Sequence, residues 1–478
     1  MTKSGCRIAF AVLTLFAATA IAADAQTFTT LVNFDITNGA DAENMSLVQG
    51  LDGNLYGTMA DGGANGGGVI FKLSRAGELQ EYNFCSLPDC SDGFYPRAGV
   101  TLDSEGTFYG TTSSGGLGGY GTIFKSDVSL SFPSTLYTFP YSGEEGVAPE
   151  APLTQSADGN FYGTTRAGGI DHGGSVFEIT QAGDLTTLHL FCSQSNCADG
   201  AQPASPLVQL GDGNLYGTTS YGGTGEGVIF KITPRGIVKP VYDFADFSST
   251  GGLILGADGN LYGSTSGDIG YGPSGSIFKM TPDGNLTTFY TFCSSPSCPY
   301  AVQAAFPSNS LIQGSDGNLY GTTLYGGNLS CNPPLGCGTI FRLTLDGTLT
   351  TLYNFDYAGA IETEGAGALV QATDGSLYGV TAFGGTSDDG ILFKFDVGLG
   401  PFVAFIRPYG KVGQTGGILG QGFTGTTSVS LNGTAASFRV LSDTFIEATV
   451  PAGATMGYVT VTTPGGTLTS NVPFRVLP

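Results

Sequence analysis

Residues 212–219 read Asp-Gly-Asn-Leu-Tyr-Gly-Thr-Thr, and variants of this phrase recur around Tyr56, Tyr109, Tyr162, Tyr216, Tyr262, Tyr320 and Tyr378. Successive tyrosines are 53, 53, 54, 46, 58 and 58 residues apart. That period matches a four-stranded propeller blade and is too long for a leucine-rich or ankyrin unit. Within the fourth unit, residues 206–209 form a short apolar strand, and Asp212-Gly213-Asn214 is a turn because Asp-Gly and Gly-Asn accept positive φ cheaply. Residues 215–219 make the second strand, a glycine loop follows Tyr221, residues 228–232 make the third, and a Pro234-Arg235-Gly236 turn leads to the fourth at 241–244. Four consecutive antiparallel strands make one blade.

The third strand recurs from Ile70-Phe71-Lys72 to Leu392-Phe393-Lys394. Successive strand side chains face opposite ways, so the Phe and Tyr ladders are assigned to the core between blades, with the charged residue off the face of the Phe. The fourth strand ends at Phe84, Phe139, Phe191, Phe244, Phe292 and Phe355, one copy short, and the missing copy stands at the other end as Leu31-Val32-Asn33-Phe34. The expected fold is therefore all-β: a seven-bladed β-propeller over residues 26–398, closed by its N-terminal strand beside residues 391–395. Up-and-down topology puts the Asp-Gly and Pro-Asp-Gly turns on one plain side. The glycine-rich and cysteine-bearing loops share the other, and loops of varied length on a rigid scaffold are where recognition is expected.

The start of the chain reads as an export signal over residues 1–25, with Lys3 and Arg7 before an apolar run from Ile8 to Ala23 and a small-x-small site at Ala23-Asp24-Ala25. The run is short for a bilayer span, so no membrane insertion is expected after signal removal. Losing Lys3, Arg7 and Asp24 leaves 15 basic and 38 acidic residues, a formal charge of -23. So acidic a chain repels nucleic acid and anionic membrane. Glycine at 78 of 478 residues, with a normal 41% apolar content, argues for short strands and tight turns and against disorder. Eight cysteines remain after cleavage, as Cys85 with Cys90, Cys192 with Cys197, Cys293 with Cys298 and Cys331 with Cys337. An exported chain with such pairs favours disulfides over metal, each pinning a loop of about six residues for about 2 kcal/mol.

These repeat pieces resemble the exported bacterial proteins described as choice-of-anchor, GloVer-containing tandem repeats, over about residues 27–396. The second unit departs at Ser104-Glu105-Gly106, and the seventh has Val380 for threonine. The resemblance implies an exported setting and supplies no catalytic residues. Past Asp396, Gly420-Gln421-Gly422-Phe423, Leu431-Asn432-Gly433, Val450-Pro451 and Thr463-Pro464-Gly465-Gly466 resemble an IPT/TIG domain, implying an immunoglobulin-like β-sandwich over 401–478. Alternating apolar residues there suit a sandwich independently. With only Arg407, Lys411, Arg439 and Arg475 basic, a spacer or adhesive role is expected there, not DNA binding.

A hydrolytic triad needs a base, and the chain has two histidines. His189 reads as a packed strand position. His172 lies in a glycine loop near Arg166 and Asp171, the one cluster to test for catalysis. Carboxylate pairs for glycan cleavage have candidates in Glu144, Glu145, Asp171, Glu226, Asp268, Glu362, Glu364, Asp388 and Asp389, and Tyr221, Tyr271 and Tyr325 offer stacking surfaces. The Asp-Gly turns lack the alternating ligands of a calcium loop, and no cofactor is expected. Two functions compete: a monomeric, noncatalytic extracellular module binding a glycan or protein on the loop-rich face, or a polysaccharide lyase or glycoside hydrolase using acidic residues with Arg166 and His172. If the N-terminal strand closes the last blade, deleting residues 26–36 will lower the melting temperature sharply; an unchanged melting curve speaks against closure.

Overall fold

The computed structural model describes residues 26–42, 45–203, 205–245, 251–265, 275–292, 305–331, 333, 335–356 and 367–477. Between Thr27 and Asp396 the chain forms seven four-stranded antiparallel sheets, six of them from consecutive strands. In the seventh, Thr27–Asn33 pairs with Ile391–Asp396, beside Leu377–Val380 and Val370–Gln371. The first strand of the chain thus supplies the fourth strand that the last unit lacks.

Seven apolar clusters lie between neighbouring sheets. In one, Tyr56 and Phe84 of the first sheet meet Phe108 and Phe124 of the second. In another, Val380 and Leu392 of the last sheet meet Met59 and Phe71 of the first. Both ladders are buried core.

The repeated phrase and the third strand form one physical unit. In the fourth sheet Tyr216 stands opposite Lys231 and Gly217 opposite Phe230. The tyrosine ring is buried, so its hydroxyl needs a partner: Tyr216 donates to the Pro282 carbonyl at 3.3 Å, and in five other units the turn aspartate accepts. Tyr56, Tyr162, Tyr262, Tyr320 and Tyr378 donate to Asp52, Asp158, Asp258, Asp316 and Asp374 at 2.8–2.9 Å. In four units a lysine lies over the tyrosine ring and pairs with the turn aspartate, as in Lys279–Asp258 at 2.8 Å and Lys394–Asp374 at 2.9 Å; Glu178 faces Tyr162 and Arg342 faces Tyr320. Burial opposes ionisation of Asp258, but hydrogen bonds from Lys279, Asn260 and Tyr262 hold its carboxyl down at about 2.

A ring of glutamines at the plain ends of the innermost strands joins neighbouring sheets. Gln209 accepts from the Ala157 amide, Gln313 from Ala257, Gln371 from Ser315 and Gln49 from Thr373, the last linking the first sheet to the seventh.

Residues 402–477 form two more four-stranded sheets around Val403, Ile418, Phe423, Val461 and Phe474, with a parallel pair between Tyr409–Lys411 and Arg475–Leu477. This C-terminal unit sits on the plain face. Thr444 donates to the Leu51 carbonyl at 2.6 Å, Tyr409 to the Gln155 carbonyl at 2.7 Å, and Arg75 to Gln421 at 2.7 Å. Arg407 reaches Ser104, and the Phe402 amide reaches the Thr373 carbonyl. Its contacts span four sheets, where a spacer would extend away from them.

The glycine after each tyrosine is a packing requirement. A Cβ on Gly217 would lie 2.7 Å from Phe230 Cζ and 2.7 Å from Leu207 Cδ2, and on Gly57 it would lie 2.8 Å from Phe71 Cζ. Gly217→Ala should therefore cost about 1–3 kcal/mol and lower the melting temperature, whereas alanine at the open Gly211 should leave it unchanged.

Candidate functional site

The glycine loops and the loops after fourth strands interlock on the face away from the C-terminal unit. The Gly116 amide donates to the Cys90 carbonyl and Gly223 to Cys197, both at 2.9 Å, while Gly169 donates to Gly143 at 2.8 Å. Each bond ties a loop of one sheet to the loop leading into it from the sheet before. Disulfides Cys85–Cys90, Cys192–Cys197 and Cys331–Cys337 are formed. Cys293 and Cys298 lie outside the described residues, as do Tyr271, Asp268, Glu362, Glu364 and residues 1–25.

Two of the disulfide loops are organised by a buried carboxylate two residues after the second cysteine. Asp199 Oδ2 accepts from the Ser193 hydroxyl at 2.6 Å and meets His189 Nε2 at 2.9 Å, while its Oδ1 accepts the Gln194 amide. This places a serine, a histidine and an aspartate together, but serine and histidine both engage the same aspartate oxygen and no bond joins them to each other. The nucleophile–base contact that a hydrolytic relay needs is therefore absent. The equivalent knot in the first sheet has Tyr82 in place of histidine, with Tyr82 and Ser86 both donating to Asp92 at 2.9 Å. A tyrosine does the same job, so the knot holds the loop.

Arg166, Asp171 and His172 do not form a cluster. Arg166 Nη1 bonds Glu150 Oε2 at 3.1 Å, toward the axis of the ring, while Asp171 and His172 occupy an exposed 3-10 turn, Ile170–His172. No hydrogen bond or ion pair joins Arg166 to either among the described residues. The expectation for Tyr325 is also corrected: only 7% exposed, it packs with Leu324 and Leu335 and offers no stacking surface. Tyr221 is 55% exposed, and Glu226 is exposed in the same loop.

Of the fourteen exposed large hydrophobic side chains among the described residues, seven lie on this face, three on the plain-side turns, among them Phe132 at 87%, and four on the C-terminal unit. Ile36, Leu87, Leu117, Tyr141, Ile170, Tyr221 and Leu329 are all exposed, and each lies in a loop of the face, with Leu117 at 89% and Tyr141 at 81%. Exposed Asp89, Glu144, Asp171, Glu226 and Asp388 stand in the same loops. On the axis below, the innermost strands line an open cavity of about 680 Å³. Glu150, at the loop end of the cavity, lines it and was missed in the sequence because its meaning depends on Arg166 from the adjacent strand.

Fold and repeat together define a β-propeller repeat protein. The Gloeobacter/Verrucomicrobia repeat model matches residues 78–253 and 245–439, and the chain belongs to that family. No curated protein matches the sequence. Among solved structures, virginiamycin B lyase from Staphylococcus aureus is similar at 17% identity and a TM-score of 0.50, with 77% of this chain and 98% of that chain covered. The extracellular domain of a one-component system from B. thetaiotaomicron is similar at 11% identity and a TM-score of 0.52; 92% of this chain is covered, against 46% of that one. A fungal alcohol oxidase in complex with copper is similar at 12% identity and a TM-score of 0.50, with 95% and 99% covered. At these identities the likeness is one of fold, and the fold hosts unrelated activities. The disulfides are consistent with an extracellular protein. Among the described residues no helix is long and apolar enough to cross a membrane.

The Asp199 knot makes a pH-dependent prediction. Burial opposes its ionisation, but hydrogen bonds from Ser193, His189 and Gln194 outweigh that and lower its pKa. A depressed carboxyl contributes stability that is complete above its unfolded value of about 3.9 and is lost as pH falls through the lower folded value. Asp199→Asn should lower the melting temperature at pH 7, with the deficit shrinking as the pH approaches 3. An equal deficit at both pH values would show that the charge is not what holds the loop.

Proposed function

We propose that this chain is an exported, noncatalytic binding protein that grips an extracellular protein with its loop-rich face. Residues 1–25 are its cleaved signal, 26–398 a seven-bladed propeller closed by the N-terminal strand, and 401–478 an IPT/TIG-type immunoglobulin-like sandwich. Seven sheet-to-sheet clusters and the pairing of Thr27–Asn33 with Ile391–Asp396 support the closed ring.

The observation that carries the functional reading is that seven exposed apolar side chains, half of the fourteen exposed among the described residues, share the interlocked loops of one face, while the other seven are divided between the plain-side turns and the C-terminal unit. Exposed Ile, Leu and Tyr on disulfide-pinned, interlocked loops are the composition of a preorganised protein-binding surface. Five of the seven are aliphatic, whereas sugar rings are recognised by flat aromatic faces, and Tyr325 is withdrawn into the core. The acidic residues between the tips favour a basic rim on the partner and speed its approach at low salt. The lyase or hydrolase reading loses its cluster, since Arg166 is engaged by Glu150.

A photo-crosslinking residue at Leu117 or Tyr141 should capture a protein from the surface of the producing cell. Leu117→Asp combined with Tyr141→Ser should weaken that association on the order of tenfold or more with an unchanged melting curve. Release of reducing ends from a polysaccharide, abolished by His172→Ala or Glu226→Gln, would overturn this reading in favour of catalysis.

A further inference from the structure

The cavity on the axis reaches the C-terminal unit. The innermost strands run from the loop-rich face to the Asp-Gly turns, and Val48, Val208, Leu255 and Val370 along them line its wall. At the plain end its lining passes to the C-terminal unit, through Ala404, Phe405, Ile406 and Leu419. Those residues are held in place by the Thr444–Leu51 and Tyr409–Gln155 bonds. The axial space of the ring is here a chamber with an apolar floor, within the usual 300–1,000 Å³ range of small-molecule pockets.

Its lining is mostly apolar, and several of its polar side chains are already hydrogen-bonded. Ser205 bonds Thr218, Thr101 bonds the Leu153 carbonyl, and the Gln49 and Gln371 side chains serve the inter-sheet ring. Glu150 is the only formally charged residue lining the chamber among the described residues. Its side chain is 16% exposed, and its one ion pair among the described residues is to Arg166, which is 51% exposed and follows the strand Phe161–Thr165 at its loop-rich end. The surrounding protein carries a formal charge of -22, and a cleft with low-dielectric walls focuses such a field.

We propose that the chamber binds a small amphipathic cation: an alkyl- or arylamine whose apolar body rests on Phe405, Ile406 and Leu419 and whose ammonium pairs with Glu150. The ammonium competes with Arg166 for the carboxylate, so Arg166 acts as the gate residue of the site. The C-terminal unit is then part of the binding site. This proposal is independent of the protein partner at the loop tips, because its residues lie on the axis and in the floor.

The test uses the full chain and the fluorescent amine dansylcadaverine, with its N-acetyl derivative as the uncharged control. Saturable one-to-one binding with a blue shift is expected, with the acetylated form on the order of tenfold weaker. Glu150→Gln should weaken the amine by a similar factor, while Arg166→Ala should tighten it by freeing the carboxylate, a change of opposite sign that misfolding does not produce. Ile406→Trp should fill the floor and abolish binding of both probes, while Leu117→Asp with Tyr141→Ser should leave both unaffected. No saturable binding of the amine up to millimolar concentration, equal affinity for the two probes, or affinity unchanged in both Glu150→Gln and Ile406→Trp would each overturn the proposal.

Discussion

A buried tyrosine hydroxyl has to find an acceptor, and in five of the seven repeats that requirement is met by the turn aspartate, while Tyr216 of the fourth turns to the Pro282 carbonyl. The ring fills the junction between two sheets, so the hydroxyl at its tip cannot turn to bulk water without emptying the junction. The aspartate four residues earlier is on hand only if the chain reverses tightly between first and second strands, which the Asp-Gly turn does. In four units the lysine directly across from the tyrosine pairs with that carboxylate, whereas the third unit has Glu178 at this position and the sixth Arg342. The Phe beside that lysine then crosses over the residue following the tyrosine, leaving room for hydrogen alone. Turn, strand, glycine and third-strand triplet are thus one constraint seen from four positions.

Where the unit departs from this pattern, other contacts take over. The second unit has Glu105 in place of the turn aspartate, and its tyrosine answers instead to Asp103, which with burial pushes Tyr109 up to about 12. The same turn receives Arg407 from the C-terminal unit at Ser104. An irregular turn in an otherwise uniform ring is a distinguishable place, as a docking unit needs on a face of near-identical turns.

The regular part of the molecule was legible because it rests on residues close in sequence: the tyrosine period, the Phe ladders and the fourth strand displaced to the start of the chain all read directly from residues 31–34 and the repeats. The site was less legible because its contacts cross between strands and sheets. Glu150 looks like one acid among many until Arg166 is seen beside it, and His189 resembles a buried strand residue until Asp199 is seen beneath it. Tyr221 and Tyr325 occupy corresponding glycine loops, yet one is exposed and the other buried, because the longer sixth loop, with its Cys331–Cys337 bridge, folds back and covers its tyrosine. Exposure of a loop residue depends on the path of the loop, which local composition does not encode. One usable signal was present: a charged residue at a position filled by small or apolar residues in most other repeats, as Arg166 is beside Ala60, Ser113, Ser220, Leu324 and Ala382.

The two faces divide the work through their turns. Tight Asp-Gly turns of constant length give a level face on which a second folded unit can rest, and four sheets contact it there. Loops of unequal length on the other face cannot form a level surface, so they interlock pairwise and project side chains instead. The C-terminal unit makes the axial space directional, with Glu150 toward the loop-rich face and the apolar side chains of Phe405, Ile406 and Leu419 at the other end. A ring built from equivalent units has no intrinsic asymmetry along its rim. It acquires an entrance, a floor and a single charged contact only through the few residues that break the repeat.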